Sequence, residues 1–425
     1  MDDGTVRRGN QLVTMLEHLQ RLLYYSPNTA GIGHVSRAIA LLTGIRRYAP
    51  HLELLVVSGT SIPEQFSRHE IELVRIPALR AVPGDGAVHF KQRYLTNSRS
   101  SDVRRIRAGI LNSVFDTYMP DLICIDHHPL GIDGEILPWL MRKRSDPGAF
   151  VTAYISRGII AQSLYIQPPF LRPQRGIDVI DVLDLYDRLY ILDTPGSGHG
   201  EVANINRFAG DSDKLRYLGR LTMKTRDELV PESMIRSLYG LPPGPIITAS
   251  LGHGSATEAL TQVIIHGFFQ AQRAANCSLI LVLSPYTSPA ELFQLQEAFA
   301  GERVFIRPYL PNFIEVINIS AAVICRGGYN VLTELELTGR PALIIPEDLG
   351  SQEQIIRAGA LASATLIVED VSCLTPDRVS SALDILLTSK GDRAPQDVNK
   401  YAVAQAMIVD LEELQLCQRA TENEQ

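Results

Sequence analysis

Short runs of consecutive apolar residues alternate along this chain with longer segments of helical period. From Arg21 onward the runs LLYYS, LELLVVS and IELVRIP appear, with the amphipathic stretch VSRAIALLTGIRRY between the first two. DLICID, FVTAYIS and RLYILD continue the series. Strand, helix, strand repetition at this spacing predicts a parallel sheet wrapped by helices. The rhythm pauses between Gly219 and Gly244, a polar stretch that ends in Pro242-Pro243-Gly244-Pro245, the composition of a domain connection. It restarts with PIITAS, SLILVLS, RVFIRPY, AAVIC and PALIIP. The terminal VNKYAVAQAMIVDLEELQLCQ has apolar residues at helical spacing and predicts a closing helix.

The pattern therefore predicts an α/β protein of two doubly wound, Rossmann-like halves in tandem. The first is expected over residues 21–220, a linker over 221–244, the second half over 245–395 and the closing helix over 396–418. A length of 425 residues fits two domains rather than one.

Composition narrows the function classes. A hydrophobic fraction of 45% with 20% charged residues is that of an ordinary globular protein. The formal net charge of −7 argues against nucleic acid as a partner, because phosphate backbones are held by clustered Lys and Arg. The short basic clusters Arg142-Lys143-Arg144 and Arg104-Arg105 with Arg107 read as solvated helix faces, with steering of an anionic substrate as the other reading. So do the carboxylates Asp178, Asp181, Asp184 and Asp187, an acidic stripe at a spacing of three. Five scattered cysteines without a C-x-x-C pair fit a reducing cytosol and neither a disulfide framework nor a zinc site. The polar MDDGTVRRGNQLV lacks the apolar core of a secretory signal, and no stretch is long enough to span a bilayer, so a cytoplasmic protein without a transmembrane segment is expected. Peripheral membrane attachment stays open.

Chemistry concentrates in three glycine-rich turns at the ends of apolar runs: Gly31-Ile32-Gly33-His34, Gly252-His253-Gly254-Ser255 and Arg326-Gly327-Gly328-Tyr329. At the carboxyl edge of a parallel sheet such turns carry main chain close to a ligand, and helix N-termini favour anions such as phosphate. None is followed by Gly-Lys-Ser/Thr and none completes G-x-G-x-x-G, so ATPase and hydride-transfer chemistry drop away. Glu334 stands six residues past Gly328, where a carboxylate can accept from paired hydroxyls. Asp126-His127-His128 ends another strand; neighbouring residues on extended chain face opposite ways, so Asp126 and His128 could share a ligand while His127 could not, and a third metal ligand is not evident. Asp126 or His127 is expected to contact an acceptor. The long stretches ALRAVPGDGAVHFKQRY and QSLYIQPPFLRPQRG read as polar loops that shape its pocket.

The stretch CRGGYNVLTELELTGRPALIIPEDLGSQEQIIRAGAL, Cys325 to Leu361, resembles the donor-binding segment of family 28 GT-B glycosyltransferases, the type that makes the second lipid intermediate of peptidoglycan. GIGHVSRA and ASLGHGSA are similar to that group's first-domain and second-domain loops. The resemblance implies that Glu334 holds the ribose hydroxyls and that Gly327 and Gly328 approach the diphosphate of a nucleotide sugar. It implies that Leu310 presents its backbone to the base, Gln354 reaches the sugar, and Gly33, Gly252, Gly254 and Ser255 line the donor site. His34 would face the reacting centre. This chain has Glu353-Gln354 where the family often has Gln-Gln, and His253 where it commonly has Ser or Gln.

A mechanism follows. A nucleoside diphosphate leaves readily once amide groups and helix dipoles meet its charge, so no metal or other cofactor is compulsory. A neutral His34 imidazole could take the proton from an acceptor hydroxyl that attacks the anomeric carbon from the opposite face, giving the inverted glycoside. The expected partners are a nucleotide-sugar donor, UDP first, and a small-molecule or lipid-linked acceptor. Three alternatives share the pattern: a nucleotide-sugar hydrolase, which the G-x-G-H-x-x-R motif at Gly31 to Arg37 also resembles, a sugar epimerase, and a non-catalytic sugar-nucleotide-binding protein.

Overall fold

The computed structural model describes residues 19–27, 32–84, 87–157, 185–194, 213–252, 257–347, 353–388, 396 and 398–423. The chain divides into two compact units, Met1–Leu221 with Asn399–Gln425, and Thr222–Val398.

In the first unit β1 (Arg21–Ser26), α1 (Gly33–Tyr48), β2 (Glu53–Ser58), α2 (Glu64–Ser67) and β3 (Glu72–Arg75) follow one another. A hairpin of β4 (Leu79–Gly84) and β5 (Ala87–Gln92) comes next, then α3 (Ser100–Tyr118), β6 (Leu122–Asp126), α4 (Leu137–Ser145), β7 (Val151–Ser156), β8 (Arg188–Ile191) and β9 (Leu215–Tyr217). The sheet order is β3-β2-β1-β6-β7-β8-β9, and every pairing is parallel. Each apolar run named above becomes a strand, and β1, β6 and β7 are buried almost throughout, as helices on both faces of a parallel sheet require.

The second unit runs α5 (Glu232–Tyr239), β10 (Ile246–Ser250), α6 (Thr257–Gln270), β11 (Ser278–Val282), α7 (Pro289–Ala298), β12 (Val304–Arg307) and α8 (Phe313–Ile319). It continues β13 (Ala322–Cys325), α9 (Tyr329–Thr338), β14 (Ala342–Ile344), α10 (Glu353–Leu361), β15 (Leu366–Val368) and α11 (Pro376–Thr388). Its sheet is also wholly parallel, in the order β12-β11-β10-β13-β14-β15. In both sheets the chain winds outward in one direction and then in the other. The reversal falls between β1 and β6 in the first sheet and between β10 and β13 in the second.

The last helix, α12 (Lys400–Asn423), belongs to the first unit. Its Asp410 accepts from Arg188 Nε at 2.7 Å, Arg216 Nε at 2.7 Å and the Tyr190 hydroxyl at 2.8 Å, which ties it to β8 and β9. It also crosses α1 closely: a Cβ at Gly44 would stand 2.8 Å from Ala404 Cβ and 2.8 Å from the Lys400 carbonyl. A glycine inside a helix costs about 1 kcal/mol relative to alanine, and here it is what lets the two helices touch. Residues 222–244 carry a short turn capped by Thr225 and then α5, whose Ile235 is fully buried against Leu241, Ile246 and Val316.

Three sequence expectations are corrected. Residues 79–92 carry an antiparallel hairpin, pairing Val82 with His89 and Ala81 with Phe90, rather than a polar loop; the turn signal in the sequence is Asp85-Gly86, between the two arms. Arg107 and Lys143 are buried rather than solvated. Asp187 is not on a helix but just before β8, accepting from the Thr152 amide at 2.8 Å and pairing with Lys143 Nζ at 3.0 Å. Asp178, Asp181 and Asp184, and the stretch QSLYIQPPFLRPQRG, lie outside the described residues.

Candidate functional site

Ligands of open parallel sheets sit at the carboxyl ends of the strands where the winding reverses, because the two diverging helices leave a crevice there. All three glycine-rich turns and the Asp-His-His stretch follow strands at these two points: β1 and β6 in the first sheet, β10 and β13 in the second.

In the first unit the chain leaves β1 and enters α1 at Gly33, so His34 is in the first turn of that helix. Neighbouring β6 ends on Asp126, whose side chain is fully buried. His34 Nδ1 lies 2.8 Å from Asp126 Oδ2. Arg37, one turn further along α1 on the same face, places Nε 3.0 Å from Oδ1 and Nη2 2.6 Å from Oδ1 and 2.8 Å from Oδ2. That Nη2 is also 2.8 Å from His34 Nδ1. In the tautomer with the proton on Nδ1, that nitrogen donates to Asp126 and Nε2 is the basic nitrogen.

The electrostatics agree. Burial lowers the His34 pKa, against the pull of Asp126. Burial alone would raise that of Asp126, but the Arg37 guanidinium, and then His34, hold the carboxyl at about 2. At neutral pH the imidazole is therefore neutral and the carboxylate ionised.

His127 follows with φ +65°, a left-handed backbone that costs a side-chain-bearing residue of order 1 kcal/mol or more. The turn is held by three bonds: the His128 amide to the Asp126 carbonyl at 2.7 Å, the His127 amide to the Ile155 carbonyl at 3.0 Å, and the Tyr154 hydroxyl to the His127 carbonyl at 2.8 Å. This kink sets the His127 ring 5.3 Å from that of His34 and 4.8 Å from that of His128. Burial, then the charge of Arg157, lowers the His127 pKa well below the ordinary range; burial, then His34, takes that of His128 to about 3. Further along the same loop, Glu135 accepts from Arg107 Nε at 2.7 Å and from the Tyr25 hydroxyl, while the Ile132 amide donates to Tyr25 at 3.1 Å. The segment from His127 to Glu135 is thus fastened at both ends.

In the second unit Gly252 follows β10 with φ +64°, the left-handed region that favours glycine. Gly327 and Gly328 follow β13, and Gly328 caps α9. The two glycines differ in what they allow. A Cβ at Gly327 would stand 2.8 Å from the Gln354 carbonyl oxygen, so the close approach permitted there is to the start of α10. A Cβ at Gly328 would meet only Val331, at 4.0 Å. The Gln354 side-chain oxygen accepts from the Gly327 amide and the Glu347 amide, each at 3.1 Å, which ties the loops after β13 and β14 together and leaves its amide nitrogen as the group to offer a ligand. Leu310 is buried among Ile235, Val282 and Val316, which fixes the backbone that carries it just past β12. Glu334 sits inside α9 with its carboxyl buried, and burial raises its pKa to about 8. Gly254 and Ser255, with His253 and Gly31, lie outside the described residues.

Arg37 and Arg326 are not among the expected site residues, and His128 enters the sequence reading only as a residue that could share a ligand with Asp126. Arg37 had a sequence signal, its i+3 spacing from His34, which places both on one helix face. Arg326 did not: its reach to the Leu251 carbonyl at 3.3 Å and the Ile345 carbonyl at 3.4 Å, joining the ends of β10, β13 and β14, exists only in the folded sheet. Among the described residues no group of three His, Cys, Asp or Glu could hold a metal ion, and both oxygens of Asp126 are engaged by Arg37 and His34. Among them, too, no helix is long and apolar enough to cross a membrane.

Residues 254–410 match the family described as glycosyltransferase family 28 C-terminal domain. Over 142 residues the chain is 26% identical to the UDP-N-acetylglucosamine--N-acetylmuramyl-(pentapeptide) pyrophosphoryl-undecaprenol N-acetylglucosamine transferase of Chlorobium phaeobacteroides, a match over 30% of this chain and 39% of that protein. The chain thus matches about two-fifths of the length of that relative. Among solved structures, the glycotransferase of kitacinnamycin matches with a TM-score of 0.57 at 16% identity, over 94% of this chain and 98% of that one. The UDP-GlcNAc 2-epimerase of Neisseria meningitidis, bound to UDP-GlcNAc, matches with a TM-score of 0.61 at 12% identity, over 93% of this chain and 99% of that one. These likenesses establish the GT-B fold.

Proposed function

From a chain of GT-B fold that carries a family 28 glycosyltransferase C-terminal domain, we propose an enzyme that moves a sugar from a nucleoside-diphosphate donor, UDP first, to a hydroxyl of a small or lipid-linked acceptor, with inversion. The observation that carries the reading is the buried His34–Asp126 pair at 2.8 Å, set where the first sheet reverses its winding.

His34 Nε2 takes the acceptor hydroxyl proton as the oxygen attacks the anomeric carbon. The bond from that carbon to the diphosphate oxygen breaks, and the nucleoside diphosphate leaves with the electron pair. Asp126, wholly buried, orients the ring rather than touching the acceptor. His127, half-buried beside His34, is the acceptor-side contact. On the donor side the amide groups after Gly328 and the N-terminal dipole of α9 meet the diphosphate charge, so the chemistry proceeds without a compulsory metal. Glu334 takes the ribose hydroxyls, the Leu310 backbone the base, Gly33, Gly252, Gly254 and Ser255 line the donor, and the Gln354 amide meets the sugar. A cytoplasmic protein acting on an acceptor at the membrane surface fits this assignment.

Thermal unfolding with UDP, GDP, dTDP and ADP tests the donor side. A selective upward shift, lost in Glu334→Ala, is expected, and a ligand at a hundredfold excess over its Kd stabilises by about 2.7 kcal/mol. Turnover lost in His34→Ala with donor binding retained is the matching result for the base. The epimerase match gives the second reading its footing. Conversion of the donor to its epimer, or release of free sugar, with no acceptor present would move the assignment to an epimerase or a hydrolase.

A further inference from the structure

The His34–Asp126 pair differs from a simple histidine–carboxylate dyad in having a third, equally buried member. In such a dyad the carboxylate charge acts on the imidazole alone, steadying its protonated form and making it more basic. Here Arg37, about 1% exposed, engages both oxygens of the same carboxylate at 2.6 and 2.8 Å through one terminal nitrogen. That nitrogen is as close to His34 Nδ1, 2.8 Å, as the carboxylate is. The three groups therefore form a triangle of one negative charge, one permanent positive charge and one titratable ring.

We infer that Arg37 is a positioning residue that spends the charge of Asp126, so that the carboxylate orients His34 without making it strongly basic. A base that must be neutral before each turnover gains from this: the acceptor meets an imidazole already free to take a proton. The inference rests on the reading of His34 as the base only for its catalytic consequence; the charge balance itself stands on the geometry.

Among the described residues, the other groups around His34 and Asp126 do not supply the missing negative charge. From α1 comes Arg37 and from the end of β6 Asp126; the loop after β6 adds His127 and His128, and the end of β7 adds Arg157, while the Tyr24 phenol of β1 acts on Asp126 and Arg37, its own pKa raised well above the ordinary value by burial and then Asp126. Asp126 is the only anion among them, so how far its charge is already neutralised decides how the ring titrates.

The test is a direct titration of the His34 ring by NMR in the full-length protein, assigned by its loss in His34→Gln. Arg37→Met should raise the His34 pKa by about one unit or more, because Asp126 then acts on the ring unopposed. The double variant Arg37→Met with Asp126→Asn removes both charges, leaves no unpaired buried ion, and so folds even where the single variant does not. Its His34 pKa should lie within about half a unit of the wild-type value, since the two charges cancel in the native triangle. An unchanged value in Arg37→Met overturns the inference. So does a fall of more than about one unit in the double variant, which would mean that Asp126 acted on the ring at full strength all along. Neither readout needs turnover, so a failure of the glycosyl-transfer reading shows separately, as His34→Ala with undiminished activity. If both hold, the acidic limb of kcat/KM moves to higher pH in Arg37→Met by the same interval as the ring titration.

Discussion

Replacing Glu334 with Gln is expected to remove a pH-dependent weakness from the second unit. Burial moves this carboxyl from its ordinary 4.5 to about 8, and among the described residues nothing charged stands against it as Arg37 stands against Asp126. Below pH 4.5 the group is protonated in both folded and unfolded chain and costs nothing. Between 4.5 and about 8 the unfolded chain releases the proton while the folded one keeps it, so stability falls by about 1.4 kcal/mol per pH unit. Over the whole interval the loss is at most roughly 5 kcal/mol, a third or more of what holds an ordinary domain together. Gln has the same shape and no charge to lose. The variant should therefore match the wild type at pH 4 and exceed it by several kcal/mol at pH 8. Urea-dependent amide exchange in peptides covering Tyr329–Thr338 reads this locally in α9, after correction for the intrinsic pH dependence of exchange. Parallel pH dependences in the two proteins would refute the account of Glu334 as a carboxyl stranded by burial. The same feature makes a protonated Glu334 ready to change state when hydroxyl donors arrive.

Binding of UDP at pH 7 should release up to one proton, because hydroxyls that donate to the carboxylate favour its ionised form; calorimetry in buffers of different ionisation enthalpy measures the proton, and its persistence in Glu334→Gln would assign it elsewhere. Gly327→Ala should destabilise by about 1–3 kcal/mol as its Cβ meets the Gln354 carbonyl, whereas Gly328→Ala should fold normally and weaken nucleotide binding, a contrast that melting curves with and without UDP display. Arg107→Met leaves Glu135 buried beside Tyr25 without its cation and should cost about 3–5 kcal/mol, followed by the fluorescence of Trp139 in the same core. With the His34 pKa lowered by burial, the decline of kcat/KM with falling pH should be centred below 6.5, and a decline centred at or above 6.5 would contradict it.

Read by itself, the chain determined its strands. Runs such as LLYYS and DLICID are too short and too apolar for anything but buried strands, and the helices between them leave only a parallel arrangement, so the doubly wound architecture was legible from local pattern alone. The glycine turns and His34 were legible too, because conformational freedom and imidazole chemistry are properties of single residues. What a residue touches across the sheet was not. Asp126 lies 92 positions from His34, and only the pairing of β1 with β6 sets them side by side; Arg37 becomes their partner by the same act. Charge without a known neighbour reads as solvated, yet the buried Arg107 and Lys143 each pair with a carboxylate, Glu135 and Asp187. The assignment of α12 to the first unit rests likewise on Asp410 finding Arg188 and Arg216, residues roughly two hundred positions away. Composition and periodicity act over one turn or one strand; ion pairs and close helix crossings are decided by the order of strands in the sheet, and that order exists only once the chain has folded.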